Sequence, residues 1–111
     1  MNAVLSGHRI AFKKLEWIQT GIGVKSKVFQ HGSQRIRLVE FSEGFVEPDW
    51  CLNGHACYVL EGCFSTDFSG SVERYEAGGI CFIPAGENDK HKVALCKGER
   101  VLLLMFEVVE G

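Results

Sequence analysis

What this chain lacks narrows its class before any motif is read. No stretch approaches the roughly 18 consecutive apolar residues of a membrane helix, so no membrane partner is expected. Positive charge is not in excess. Twelve Lys and Arg stand against 14 Asp and Glu, a net charge of −2, unlike a nucleic-acid-binding surface or a polybasic membrane patch. Residues 1–9, Met1-Asn2-Ala3-Val4-Leu5-Ser6-Gly7-His8-Arg9, hold no basic segment followed by a long apolar run, so no signal peptide is expected. No Asn heads an Asn-x-Ser/Thr site. Proline is scarce, with 2 residues. The cysteines Cys51, Cys57, Cys63, Cys81 and Cys96 are odd in number and form no CxxC pair. That argues against a thioredoxin-type site or a zinc finger and for buried, reduced thiols in a cytoplasmic protein.

What is present is a soluble-type composition in a chain of one-domain length: 111 residues, 46% hydrophobic and 23% charged. Glycine is rich, at 13 residues, and it punctuates short apolar runs. Residues 22–29, 35–41, 55–60, 63–68, 71–75, 80–83, 90–96 and 101–109 each end at or near a Gly-containing turn or at the end of the chain. Strands at such spacing indicate an all-β sandwich or barrel. Ile36 and Leu38 alternate with Arg35 and Arg37, the period of a half-exposed strand. The run Val101–Phe106 is continuous and reads as a strand covered on both faces. Only Ala11–Gln19 fits a short helix as well as a strand. Glu61-Gly62 reads as a turn, and His8 and His31 as surface residues.

Tyr58-Val59-Leu60-Glu61-Gly62 and Phe82-Ile83-Pro84-Ala85-Gly86 resemble the cupin family, whose patterns are G-x5-H-x-H-x3,4-E-x6-G and G-x5-P-x-G-x2-H-x3-N. The resemblance spans about residues 44–93, with motif 1 over 44–62 and motif 2 over 78–93. It implies an antiparallel jelly-roll β-barrel forming one cupin domain over residues 1–111. Gly78, Pro84 and Gly86 keep the second frame. The ligand positions do not keep their residues. Metal-binding cupins use three His and one Glu. Counting back from Gly62 puts His55 at the Glu and Cys51 and Asp49 at the two His. Counting forward from Gly44 puts Trp50 and Leu52 there instead. In motif 2 the His position holds Asp89 and the Asn position Val93.

Two readings of that departure stand side by side. In one, His55, His91, Asp89 and Cys51 rebuild a site for a divalent transition metal such as Zn, Fe, Mn or Ni, since two His and a carboxylate suffice to hold such an ion. In the other, the barrel is metal-free and these side chains are hydrogen-bonded pocket residues. Strand alternation puts His55, Cys57 and Val59 on one face, and the register that the cupin resemblance implies turns that face inward together with Asp89 and His91. The expected ligand pocket is therefore His55, Cys57, Asp89, His91 and Trp50. Cys57 beside His55 reads either as a nucleophile or as a small apolar filler. Trp50, Tyr58 and Phe82 read either as a stacking platform for a ligand or as core or subunit contacts. Arg35 and Arg37 share a strand face. They would receive an anion if that face is interior, and otherwise form an exposed edge.

The expected function is binding of a small molecule in the barrel, with no catalytic residue assigned. The alternative is a metal-dependent oxygenase or isomerase acting on a small organic acid or sugar. A homodimer is expected from the resemblance and from apolar residues of the N-terminal half: Phe12, Leu15, Trp17, Ile18, Ile22, Val24, Val28 and Phe29.

Overall fold

A computed structural model describes residues 5–109. Residues 1–4 and 110–111, part of the expected 1–111 domain and of the N-terminal stretch read above, lie outside it. The strands are β1 (Leu5–Ser6), β2 (Arg9–Ile10), β3 (Ile18–Gly21), β4 (Val24–His31), β5 (Gln34–Phe41), β6 (His55–Asp67), β7 (Val72–Glu76), β8 (Ile80–Ile83), β9 (Lys92–Ala94) and β10 (Val101–Val108). The all-β expectation holds. The Ala11–Gln19 stretch is not a helix. A 3-10 turn covers Phe12–Lys14 and β3 begins at Ile18. The apolar residues there follow no sustained helical period, and pairing with β4 satisfies the backbone instead.

Apart from the small β1–β2 pair, the strands form one curled antiparallel sheet in the order β3-β4-β5-β10-β6-β7, with β8 and β9 also paired to β6. Its inner face follows strand alternation. Val39 and Phe41 of β5, Val101, Leu103 and Met105 of β10, and Cys57 and Val59 of β6 are all buried. These residues meet Phe64, Cys81 and Ile83 in one core.

The expected turn at Glu61-Gly62 is a bulge inside one continuous strand. Leu102 pairs with Glu61 while Leu103 pairs with Val59, so Leu60 has no partner on β10. The extra residue flips the inward set from His55, Cys57 and Val59 to Phe64 and Thr66. The first half of β6 pairs with β10 and β8, and the second half with β7 and β9. Gly62 permits the crossing. Its φ is +79°, and a Cβ there would lie 1.9 Å from the Arg100 carbonyl oxygen.

β10 is not covered on both faces. Its even residues look outward, where Phe106 and Val108 are exposed and no layer lies over them among the described residues. With Ile36, Leu38, Tyr58, Leu60, Ile80 and Phe82 they form an apolar outer face across β5, β10, β6 and β8. Over β4 the N-terminal segment covers that outer face. Lys27 Nζ donates to the Phe12 carbonyl at 3.1 Å, Trp17 lies beneath Lys25 and Lys27, and Phe29 is buried. His8 and His31 are exposed.

Gly62 and Gly98 share the same φ of +79°, but nothing lies within 4 Å of a Cβ at Gly98. Gly98→Ala should therefore cost only the left-handed backbone penalty of about 1–2 kcal/mol. Gly62→Ala adds a backbone clash and should cost about 3 kcal/mol or more. Urea unfolding of the two variants checks the difference.

Candidate metal centre

The inner face turns polar at one end of the sheet. Beyond Met105, the next inward residue of β10 is Glu107. Its direct partner on β5 is Arg35, and its neighbour on β6 is His55. Glu107 is 6% exposed. Its Oε1 accepts from Arg35 Nε at 2.9 Å and from Arg37 Nε at 2.7 Å. Its Oε2 accepts from Arg37 Nη2 at 3.1 Å and faces His55 Nδ1 at 2.9 Å. The strand face of Arg35 and Arg37 is thus interior, and the group they receive is this carboxylate. Burial pushes the Glu107 carboxyl up, but the hydrogen bonds and charges of His55, Arg35 and Arg37 outweigh it and hold the carboxyl at about 2.

Two segments without long strands complete the site. The stretch between β5 and β6 passes the 3-10 turn at Glu87–Asp89 (Gly86 N–H donates to the Leu52 carbonyl at 2.9 Å), and Cys51 and His91 exchange backbone hydrogen bonds at 2.8 and 3.1 Å. Glu47 anchors the same stretch by accepting from Val93 N–H at 2.8 Å. Gly54 lets it touch the second motif, since a Cβ there would lie 2.8 Å from Ala85 N. His55 follows directly as the first residue of β6.

Cys51, His55 and His91 converge. Nε2 of His55 lies 2.9 Å from Nε2 of His91, and Cys51 Sγ lies 3.9 Å from His55 Nε2. The two rings stand nearly perpendicular, at 82°. What each ring does with its other nitrogen decides the chemistry. His55 Nδ1 faces the Glu107 carboxylate, and His91 Nδ1 faces the Asp89 carbonyl at 2.9 Å. Both partners can only accept, so each Nδ1 carries the hydrogen and each neutral ring turns an Nε2 lone pair toward the other. Two lone pairs at 2.9 Å need a cation between them, a proton or a metal ion. Imidazoles whose second nitrogen donates to a carboxylate or a backbone carbonyl are the usual arrangement of metal-bound His. Both contacts are short enough for one ion to bridge with bonds of about 2.0–2.3 Å. The residues present therefore fit a divalent metal.

Without a metal, the cation between the two rings is a proton. Burial pulls the His55 imidazolium down, but hydrogen bonds to Cys51 and Glu107 and their charges carry it up to about 9. Hydrogen bonds to His55 and His91 bring the Cys51 thiol down to about 6. The cluster stabilises a thiolate and a cation together.

The other expected pocket residues lie elsewhere. The Asp89 carboxylate is not in the cluster. Asp89 ends the 3-10 turn and contributes its main-chain carbonyl instead. Trp50 does not line the cavity but lies beneath Lys90 and Lys92. Leu52 is exposed, so Cys51 rather than Trp50 or Leu52 enters the site from this stretch. Cys57 faces inward but contacts Cys81, Sγ to Sγ 3.2 Å. Tyr58 and Phe82 are on the outer face. Glu107 went unread in the sequence, although parity along β10 with Met105 and with Arg35 and Arg37 opposite marks it.

The cluster opens into a cavity of about 690 Å³, walled by Val24, Val39, Phe41, Phe45 and Met105 and including Arg37 and Glu47.

No protein-family model matches the chain, and no curated protein matches it. Solved structures do. KdgF from Halomonas sp. superposes with a TM-score of 0.68 at 18% identity, over 86% of this chain and 90% of that one. The polyketide cyclase RemF from Streptomyces resistomycificus gives 0.72 at 19%, over 92% and 79%. An RmlC-like cupin from Shewanella frigidimarina gives 0.68 at 19%, over 98% and 93%. The likeness shows the fold, a cupin β-barrel.

Removing the Glu107 carboxylate leaves two guanidinium groups without their buried partner. Glu107→Ala should cost about 3–5 kcal/mol. Because the folded carboxyl titrates below its unfolded value, its stabilisation is present above about pH 4.5 and is lost as pH falls toward 2. The urea midpoint should drop between pH 5 and pH 3 in the parent and drop less in Glu107→Gln.

Proposed function

We propose that this cupin-fold protein binds a small organic acid in its barrel, at a zinc-type divalent ion held by Cys51, His55 and His91. The pair of Nε2 atoms turned toward one another, with both Nδ1 atoms committed to acceptors, carries this reading. A thiolate with two imidazoles favours zinc over manganese, which prefers oxygen ligands. Such an ion supplies Lewis acidity toward a bound carboxylate or carbonyl oxygen. The chain's own residues do the rest. Glu107 fixes the tautomer and plane of His55, and the Asp89 carbonyl does the same for His91. Arg35 and Arg37 hold Glu107 ionised. Phe41, Phe45 and Val39 keep water away from the apolar part of a ligand, and Arg37 brings positive charge to the cavity wall. The odd number of cysteines and the lack of a CxxC pair support a cytoplasmic setting.

A metal-dependent enzyme of the same barrel is the second reading. The position of the cluster on the lining of a cavity favours it, as does the breadth of chemistry among proteins of similar fold, RemF being a polyketide cyclase.

Protein prepared without a His-tag should bind one equivalent of Zn²⁺ by equilibrium dialysis. His55→Ala and His91→Ala should each lower the affinity at least 100-fold, and Glu107→Gln about 10–100-fold. Small carboxylates should raise the Tm only of metal-loaded protein. Unchanged zinc affinity in His55→Ala would remove the ion from the proposal and leave a proton shared by the two rings in a metal-free pocket.

We also propose a homodimer, joined through the outer face of β5, β10, β6 and β8 rather than through the N-terminal residues. Phe29 is buried and Trp17 lies beneath Lys25 and Lys27; Ile18 and Ile22 are exposed but flank those lysines, whereas Ile80 and Phe82, 71% and 77% exposed, belong to a wider uncharged face. The rows Ile36–Phe106–Ala56–Phe82 and Leu38–Leu104–Tyr58–Ile80 carry no charge. A two-fold axis would lay this face on its own copy. Light scattering should give twice the 12.4 kDa of one chain, and Phe82→Lys with Phe106→Lys should return it to one. A single-chain mass that persists on concentration sinks the dimer.

A further inference from the structure

Cys57 and Cys81 lie outside the metal cluster and take no part in the function proposed above. They are direct partners in the β6–β8 ladder, with sulfurs 3.2 Å apart, and each is 4% exposed. We propose that Cys57 and Cys81 form a thiol–disulfide site, at which a peroxide joins the two facing strands covalently.

The ladder supplies the geometry. Directly opposed residues on antiparallel strands have Cα atoms about 4.5–5.5 Å apart, inside the roughly 4.4–6.8 Å that a disulfide spans. The bond therefore forms without a change of register. The other cysteines have different surroundings. Cys51 faces His55, Cys63 faces Arg74 and Glu99, and Cys96 is exposed. Simple filling of the core would be served by Ala or Val at either position. Two thiols in register are the arrangement that also has a covalent state.

The location gives the bond a mechanical effect. Among the described residues β8 is held in the sheet by β6 alone, through the four pairs from His55↔Ile83 to Tyr58↔Ile80. Its hydrogen bonds open more readily than those of a strand flanked on both sides, which gives a water-sized oxidant access to the pair. The cross-link would then fix β8 to the segment of β6 that begins with His55.

The chemistry balances with hydrogen peroxide as the oxidant. One thiolate attacks a peroxide oxygen. The O–O bond breaks, hydroxide leaves, and the sulfur becomes a sulfenic acid. The second sulfur attacks the first, the S–S bond forms, the S–O bond breaks, and water leaves. Two electrons pass from the sulfurs to the peroxide, and the two thiol protons end in the two waters.

The test uses the full chain, fully reduced and then treated with one equivalent of hydrogen peroxide. After quenching with excess alkylating reagent, it is digested without reductant. The intact protein should lose two hydrogen masses, a peptide joining Cys57 to Cys81 should appear, and phosphine treatment should restore both thiols. Cys51→Ser should keep the cross-link, which separates it from the metal cluster, and Cys81→Ala should abolish it. Thermal unfolding of the oxidised parent should come at a higher temperature than that of the reduced one. Oxidation of Cys51 or Cys96 while Cys57 and Cys81 stay alkylatable overturns the proposal. So does a mixture of disulfides no different from that of the urea-unfolded chain.

Discussion

A single buried carboxylate orders the polar end of this barrel. Glu107 sits between two guanidinium groups and an imidazole, and each contact depends on the others. Without Arg35 and Arg37 the carboxylate would be too costly to bury in ionised form. Without the carboxylate, neither the charge state nor the plane of His55 would be fixed. Among the described residues, every buried side-chain nitrogen or oxygen has a polar partner within reach, and the facing Nε2 atoms of His55 and His91 are satisfied once a proton or a metal ion lies between them. The sheet therefore carries two kinds of inner layer. Val39, Leu103 and Val59 pack dry in one row, and Arg35, Glu107 and His55 form a hydrogen-bonded row at the cavity end.

The fold was legible because strand alternation and glycine spacing are local properties. The β5 pattern around Arg35–Leu38, the β8 run and the Gly78–Pro84–Gly86 frame each declare themselves within a few residues. The bulge at Leu60 was not legible. A turn and a bulge draw on the same residues, and what separates them is whether Cys63 continues along the same strand, a question of distant pairing. The exposed face of β10 was hidden for a related reason. An apolar run reads as doubly covered, whereas here its outer residues meet neither a helix nor a second layer within the described chain.

The site was half legible. His55 and Cys51 could be named from the cupin frame, although two counts through the shortened first motif disagreed, and His91 could be named as the residue two beyond the framed Asp89. The structure brings Cys51 in because its backbone pairs with that of His91, a contact across 40 positions of sequence. Asp89 illustrates the opposite limit. A carboxylate in the right place on a count can take part through its backbone, because a 3-10 turn directs the carbonyl, and not the side chain, at the ring. Glu107 required knowing which strand lies beside β5, and no local pattern says that.

That placement has a consequence for how the chain reaches its native state. β10 lies between β5 and β6, yet it follows both in the chain, some 60 residues after β5 and more than 30 after β6. During synthesis β5 and β6 must wait with unpaired edges until the strand that joins them has left the ribosome. Closure then sets most of the core and the Glu107 cluster at once. Such long-range pairing makes for slow folding and an interval of exposed, sticky edges. The order of strands along the chain thus makes the docking of β10 the single event on which both the apolar core and the polar cluster wait.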